Sequence, residues 1–209
     1  LLQELEDITI EYIVNNPGAI TEELFDFANL DTDSSRMDSY IEYLNDVLPG
    51  MPKPVSKDQL QDLIDMVDSV WTAYYQAINN PSKPNVLSYE TAVQLLEDGI
   101  FKTKMTALID DVALVYLIAS PSTQEKDDFD RLGMSIDVNN IAAYNKNMAK
   151  YINDVGSSNF TFTEVEQVIA VTDKVENALI NSSTSNVQQA LQAVRTLVNG
   201  ELKTNLLAA

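Results

Sequence analysis

Apolar side chains recur along most of this chain with the period of an α-helix. The clearest stretch is Ser56–Tyr75, where they follow the i, i+3, i+4, i+7 spacing of a single helix face. The members of this face are Leu60, Leu63, Ile64, Val67, Val70, Trp71 and Tyr74. Ser56 stands just before the periodic stretch and is the residue type that caps a helix N-terminus, so the pattern predicts a helix that begins there.

The rest of the chain has the same character, and no segment shows the alternation of a β-strand. Further helices are predicted at Leu2–Val14, Ile20–Phe27, Ser34–Leu48 and Ser88–Lys104, each with an equivalent later in the chain. Only Gly99 interrupts the stretch Ser88–Ile118. A glycine inside a helix costs about 1 kcal/mol relative to alanine, which permits a kink and does not demand a break, so this stretch could form one long helix. The predicted fold class is therefore all-α.

The chain matches itself at a spacing of about 104 residues. Leu1–Phe27 lies over Met105–Arg131 at an offset of 104, Tyr43–Val47 lies over Tyr151–Val155 at 108, and Asn85-Val86 lies over Asn186-Val187 at 101. The register changes are predicted to fall in loops, near Asn29–Asp33, in Leu48–Val55 and in Gln76–Pro84, because loops tolerate insertions.

This self-similarity predicts two tandem helical-bundle repeats, residues 1–104 and 105–209, which the stretch Ser88–Ile118 would join as a long shared helix. The match between Gly99–Thr103 and Gly200–Thr204 implies that Leu206 begins a third copy, with a terminal tail as the alternative. The chain has no initial Met and no signal peptide, so it is expected to be a segment of a longer, processed protein.

Composition excludes several classes of function. Thirty-two acidic and 13 basic residues give a net charge of −19, which disfavours nucleic acids and anionic membranes as partners. Histidine and cysteine are both absent, which removes the usual general base and the thiolate and imidazole metal ligands. No apolar run approaches the roughly 18 residues of a membrane-spanning helix. We therefore predict a non-enzyme without metal or cofactor, and no membrane insertion within this segment.

One acidic segment partly imitates a calcium-binding EF-hand loop. Asp31, Asp33, Ser35 and Glu42 take the places of oxygen ligands, but Arg36 stands where the loop needs glycine. The same places in the second copy are read as Asn139 and Ile141. The favoured interpretation is that Asp33 or Ser34 caps the next helix.

Two tripeptides fit the acceptor rule for N-glycosylation. They begin at Asn159 and Asn181, and both lie in predicted loops. The sequence therefore offers Asn159 and Asn181 as glycosylation sites, against the alternative that such tripeptides arise by chance.

Aromatic and acidic clusters complete the candidate chemistry. Trp71 with Tyr74 and Tyr75 could form a recognition platform, but Trp71 and Tyr74 lie on the predicted core face, which favours packing. Adjacent acids such as Asp110-Asp111 and Asp127-Asp128 point about 100° apart on a helix, so they are interpreted as solvated surface and not as catalytic pairs.

Two segments of the first copy resemble a known family. Residues 55–70 and 89–101 are similar to two helices of the helical subdomain in GAIN domains of adhesion receptors and polycystin-like proteins. The resemblance implies an extracellular helical spacer. No β-sandwich is present in these 209 residues, and the absence of histidine excludes the His-Leu-Thr self-cleavage site of that family.

The sequence thus predicts a non-catalytic structural or adhesive repeat segment of a secreted or cell-surface protein, acting as a stalk, spacer or filament building block. Its expected partners are neighbouring repeats, other copies of itself, and surface or matrix proteins. The alternative is a soluble helical binding module that holds a peptide or a small apolar ligand between the repeats. The first copy carries a net charge of −13 and the second −6, so a role specific to one copy is expected where the two differ.

Overall fold

The structure, a computed structural model, describes residues 2–208 and contains no β-strand in that range. The predicted all-α class is confirmed. The chain divides into two compact units, residues 1–109 and residues 110–209. The α-helices of unit 1 are α1 (Leu2–Asn15), α2 (Glu22–Phe27), α3 (Met37–Val47), α4 (Lys57–Asn79), α5 (Lys83–Leu95) and α6 (Ile100–Ala107). Those of unit 2 are α7 (Ile109–Ala119), α8 (Lys126–Arg131), α9 (Ile141–Val155), α10 (Phe162–Ile180), α11 (Thr184–Thr196) and α12 (Glu201–Ala208).

Helix α4 forms where the apolar period is clearest, and its start is fixed by side-chain hydrogen bonds. The Gln59 amide donates to Ser56 Oγ, and the Ser56 amide donates in return to Gln59 Oε1, so two amides that have no partner within the helix are satisfied. The predicted cap at Ser56 is confirmed. Leu60, Ile64 and Val67 on the predicted face are fully buried. Across residues 2–208, no helix has both the length and the apolar character needed to cross a bilayer.

The core of unit 1 is built on α4, which packs against α3 and α5, while α6 packs on α3. Aromatic rings fill much of this core. The rings of Tyr43 and Phe101 lie 5.6 Å apart, and Phe25 meets Tyr40 edge to face at 6.1 Å. All four side chains are at most 1% exposed, so α2, α3 and α6 are held together through aromatic contacts.

The core of unit 2 is built in the same way on α10, which packs against α9 and α11. The buried face of α10 includes one polar residue, Thr172. Thr172 is 1% exposed, its hydroxyl donates to Val168 O at 2.7 Å, and it accepts from Asn147 Nδ2 at 3.0 Å. A buried polar pair is tolerated here because the threonine hydroxyl has a partner on both sides.

The predicted long helix Ser88–Ile118 is wrong. Helix α5 ends at Leu95 and α6 begins only at Ile100. Leu96 between them has an extended backbone and a side chain that is 2% exposed, so burial of an apolar side chain stabilises the break. A second interruption, at Leu108, separates α6 from α7.

Two core helices of unit 1 differ by four residues in length from those that take the same place in unit 2. Helix α9 has 15 residues where α3 has 11, and α10 has 19 where α4 has 23. Four residues are close to the 3.6 residues of one turn, so each change adds or removes about a turn and leaves the buried face nearly in place.

Candidate functional site

Unit 1 fastens its last helix to its core through one carboxylate. Asp46, near the C-terminal end of α3, points at the N-terminus of α6, where the Phe101 amide donates to Asp46 Oδ2 at 2.9 Å. An acidic side chain is favourable there because the first amides of a helix are unpaired and carry partial positive charge. The helix start is therefore held by an anion from α3.

Gly99 allows this carboxylate to come so close. A Cβ added at Gly99 would lie 2.3 Å from Asp46 Oδ2 and 2.7 Å from Asp46 Cβ, both far inside contact distance. The backbone of Gly99 is extended, a conformation open to every residue, so the requirement for glycine comes from the close approach alone.

Unit 2 has the same joint. Asp154, near the end of α9, accepts from the Glu201 amide at 2.8 Å through Oδ1 and from the Leu202 amide at 2.9 Å through Oδ2. A Cβ added at Gly200 would lie 2.2 Å from Asp154 Cγ. We call these two arrangements, Asp46 with Gly99 and Asp154 with Gly200, the aspartate–glycine joints.

A lysine in the last helix of each unit ties down the segment before it. Lys102 Nζ donates to Leu96 O at 2.7 Å, and Lys203 Nζ donates to Leu197 O at 2.9 Å. These carbonyls lie just beyond the helix that precedes the joint, where intrahelical partners are lacking. The lysines therefore satisfy the backbone on one side of each joint while the aspartates satisfy it on the other.

An ion pair also links the same two helices in each unit, but the positions of the acidic and the basic residue are exchanged between the units. Lys104 on α6 contacts Glu42 on α3 at 2.5 Å, whereas Glu201 on α12 contacts Lys150 on α9 at 2.5 Å. The hydrogen bond and charge of Lys150 lower the pKa of the Glu201 carboxyl. Exposed ion pairs stabilise little, so they add to the joints without replacing them.

A buried tyrosine beside a carboxylate connects two core helices of unit 1. The Tyr40 hydroxyl donates to Asp68 Oδ1 at 2.5 Å and accepts from the Asp33 amide at 2.9 Å, while Arg36 Nη1 donates to Asp68 Oδ1 at 2.7 Å. Burial raises the pKa of Tyr40 well above its ordinary value, and the hydrogen bond to Asp68 raises it further. The phenol therefore stays neutral.

Unit 2 repeats this network with one substitution. The Tyr144 hydroxyl donates to Asp173 and accepts from the Asp137 amide at 3.1 Å, and Asn140 Nδ2 donates to Asp173 Oδ1 at 2.9 Å where unit 1 uses Arg36. Burial, followed by the hydrogen bond to Asp173, raises the pKa of Tyr144 to about 12.

The aspartate of the partial EF-hand pattern, Asp33, acts as a helix cap. Asp33 Oδ1 accepts from the Ser35 amide at 2.9 Å and the Ser35 hydroxyl at 2.7 Å, so Asp33 caps the short 3-10 helix Ser34–Arg36, as predicted. Its counterpart is Asp137, which caps Val138–Asn140 in the same way and replaces the predicted match to Ile141. Within residues 2–208, no group of three acidic side chains is placed to hold a metal ion.

The two candidate glycosylation sites lie at the surface of unit 2. Asn159 is exposed at the end of the 3-10 helix Ser157–Asn159, with its Nδ2 donating to Val155 O at 2.9 Å. Asn181 is exposed at the C-terminal end of α10. Thr161 and Ser183, the hydroxyl residues of the two tripeptides, each cap the N-terminus of the following helix.

The aromatic group on α4 is packed on one side and open on the other. Trp71 and Tyr74 are half-buried, the Trp71 Nε1 donates to Ser39 Oγ at 3.0 Å, and the exposed ring of Tyr75 stacks on Trp71 at 5.7 Å. The predicted packing role holds for Trp71 and Tyr74.

One of the acidic pairs departs from its predicted role. Asp110, Asp111 and Asp127 are exposed, as expected for solvated surface. Asp128 is only 3% exposed, and it accepts from the Glu125 amide at 2.8 Å. It also pairs with Arg131, within one turn, at 2.9 Å. The interpretation of Asp128 as solvated is therefore wrong, because it caps α8.

The residues that carry the joints were visible in the sequence but had no role there. Asp46 and Asp154, and Gly99 and Gly200, are identical residues in the matched segments. Nothing in the local pattern joins an aspartate to a glycine some fifty positions later, so only the fold brings them together.

The joints and the tyrosine networks bind helices to one another through hydrogen bonds. No family model, no curated protein and no solved structure matches this chain.

Proposed function

We propose that the two units are copies of one helical unit of about 104 residues, and that the chain is a non-catalytic structural or adhesive segment of a secreted or cell-surface protein. The observation that carries this proposal is the aspartate–glycine joint. Both units fix their last helix with a carboxylate from the same helix of the core, at a glycine that a Cβ would clash with. Two unrelated helical bundles have no reason to share so specific a contact.

Helix lengths support the duplication independently. Helices α5 and α11 both have 13 residues and begin 101 positions apart, and α6 and α12 both have eight and again begin 101 apart. The tyrosine networks also match, with Tyr144 standing 104 positions after Tyr40 and Asp173 standing 105 positions after Asp68. The four-residue differences in α3 and α4 are whole-turn changes within this frame.

A spacer role follows from what the joints hold. In each unit the last helix is held to its own core by a carboxylate cap, a lysine and an ion pair. Repeat units stack into stalks or filaments and need no chemistry of their own. Neighbouring repeats, other copies of the chain, and surface or matrix proteins are then its partners.

An extracellular setting is part of the same proposal. A net charge of −19 and the exposed Asn159 and Asn181 support it, and the similarity to the helical subdomain of GAIN domains agrees with a spacer at the cell surface. The role is mechanical or adhesive.

The experiment is to extend the array in register. Because Leu206 corresponds to Leu1 in the repeat, residues 1–205 are fused directly to the N-terminus of a second full chain of 209 residues. Small-angle X-ray scattering then gives the maximum dimension of the single chain and of the doubled chain. A spacer predicts that this dimension grows about twofold, whereas a compact globule grows only about 1.3-fold on doubling its length. As a control, the same doubling with three residues inserted at the fusion point breaks the register between the copies and should change this maximum dimension. Growth near 1.3-fold for the in-register fusion would contradict the proposal.

A further inference from the structure

Unit 2 contains an apolar cavity that is partly open to solvent. Its volume is about 290 Å³, at the lower end of the range of small-molecule sites. Helices α10, α11 and α12 supply its walls, and no charged side chain lines it. The main lining residues are Val175, Leu179, Ala190, Leu191, Val194 and Leu206.

The matching place in unit 1 is filled by aromatic rings. Helices α5 and α11 begin 101 positions apart, so Tyr89 corresponds to Ala190. If the same offset of 101 is carried back across the loop before α5 and into the end of α4, Tyr74 corresponds to Val175. The Tyr74 and Tyr89 rings lie 5.5 Å apart, and Tyr89 is fully buried.

The Tyr89 hydroxyl also has a defined partner. It donates to Met105 O at 2.6 Å in the interior of unit 1. Met105 corresponds to Leu206, whose side chain lines the cavity of unit 2. The sister unit therefore shows which chemical group this space accommodates: one aromatic ring with a hydroxyl directed at a helix carbonyl.

We propose that the cavity of unit 2 binds a small, uncharged phenol. The ring takes the space that Tyr89 fills in unit 1, and its hydroxyl donates to the carbonyl of Leu206. Replacing a buried large side chain by a small one leaves space that an apolar molecule can fill, because surrounding helices collapse only partly. Burying a charged ligand would leave its charge unpaired, since no ionised group lines the walls, so neutral phenols are favoured over benzoates or anilinium ions.

The test uses p-cresol, the free form of a tyrosine side chain, with the full chain. Methyl NMR of the leucines and valines follows Leu179, Leu191 and Leu206 during titration. The site predicts saturable shifts of these methyl groups at millimolar p-cresol. Ala190→Tyr, which restores the ring found in unit 1, should weaken binding at least tenfold. Gln188→Tyr places the same ring on the exposed face of α11 and should leave binding unchanged.

A converse variant guards against an Ala190→Tyr protein that fails to fold. Tyr89→Ala should open the equivalent space in unit 1 and produce a second set of saturable shifts, at Val86 and Val93. The absence of saturable shifts in the parent chain, or equal binding by Ala190→Tyr, would overturn the proposal. Without p-cresol, the methyl shifts of the parent chain could depend on protein concentration, and Ala190→Tyr could abolish that dependence. This result would mean that a side chain of a second copy of the protein fills the cavity, and it would also overturn the proposal.

Discussion

Replacing Gly99 with alanine should destabilise unit 1 by much more than a typical surface substitution. The new Cβ would lie 2.3 Å from Asp46 Oδ2 and 2.7 Å from Asp46 Cβ. The carboxylate can swing away, but its Cβ is fixed to α3, so α6 must also shift. The swing removes the bond from the Phe101 amide, and a hydrogen bond to a charged group contributes about 1.5–3 kcal/mol. With the shift of α6, we expect a loss of about 2–4 kcal/mol in the free energy of unfolding.

Trp71 makes this loss measurable in unit 1 alone, because it is the single tryptophan of the chain. Urea unfolding is followed by its fluorescence for the parent and for Gly99→Ala. Gly50→Ala is the matched control, because a Cβ there meets nothing within 4 Å, and it should be neutral or stabilising by up to about 1 kcal/mol.

A double-mutant cycle then ties the loss to the joint. Asp46→Ala removes two of the three clashing atoms, so Gly99→Ala should cost at least about 1 kcal/mol less in that background. If Gly99→Ala costs no more than Gly50→Ala, or if its cost is the same with and without Asp46, the joint does not hold α6 as described.

Three further predictions concern buried polar groups and the surface. Burial raises the pKa of Tyr144 to about 12 from an ordinary value of 10.0, so above pH 10 the unfolded chain loses this proton first. Stability should therefore be intact below pH 10 and fall by up to about 1.4 kcal/mol per pH unit for each such tyrosine until about pH 12, as calorimetry at stepped pH would show; a flat profile would refute the buried networks. Thr172→Val leaves the amide of Asn147 without its partner and should cost about 1–3 kcal/mol in urea unfolding, whereas Thr172→Ser should cost less. Secretion from a eukaryotic host should add a glycan at Asn159 and at Asn181, each removed by the Asn→Gln variant, and an unmodified secreted mass would contradict the proposed surface modification.

The helices with a periodic apolar pattern were predictable, because the pattern alone indicates both the helical state and the face that packs on the core. Helix α4 has the strongest pattern, and its cap at Ser56, its buried face and its helical state all follow from local residues. The break before α6 could not be predicted in this way. A glycine in a helix costs about 1 kcal/mol, which is too little to decide against a continuous helix, and the deciding contribution comes from Asp46 and the burial of Leu96.

The register changes show a second limit of local inference. Loops tolerate insertions, so the changes were assigned to loops, yet α9 exceeds α3 by four residues and α10 falls short of α4 by four. An insertion of one turn keeps side chains on their original face, and a packed helix can accept it at its end. The cavity of unit 2 was equally hidden, because a Tyr89-to-Ala190 difference has meaning only once both residues are known to face the core.

The spacer proposal is tested most directly by the radius of gyration of the intact chain in solution. A compact globule of 209 residues has a radius of gyration of about 17 Å. For two compact units that are joined end to end, small-angle X-ray scattering of a monodisperse sample should give a value of about 21 Å, with a shoulder in the pair-distance distribution from the two units. A value near 17 Å with a single symmetric maximum would contradict the spacer.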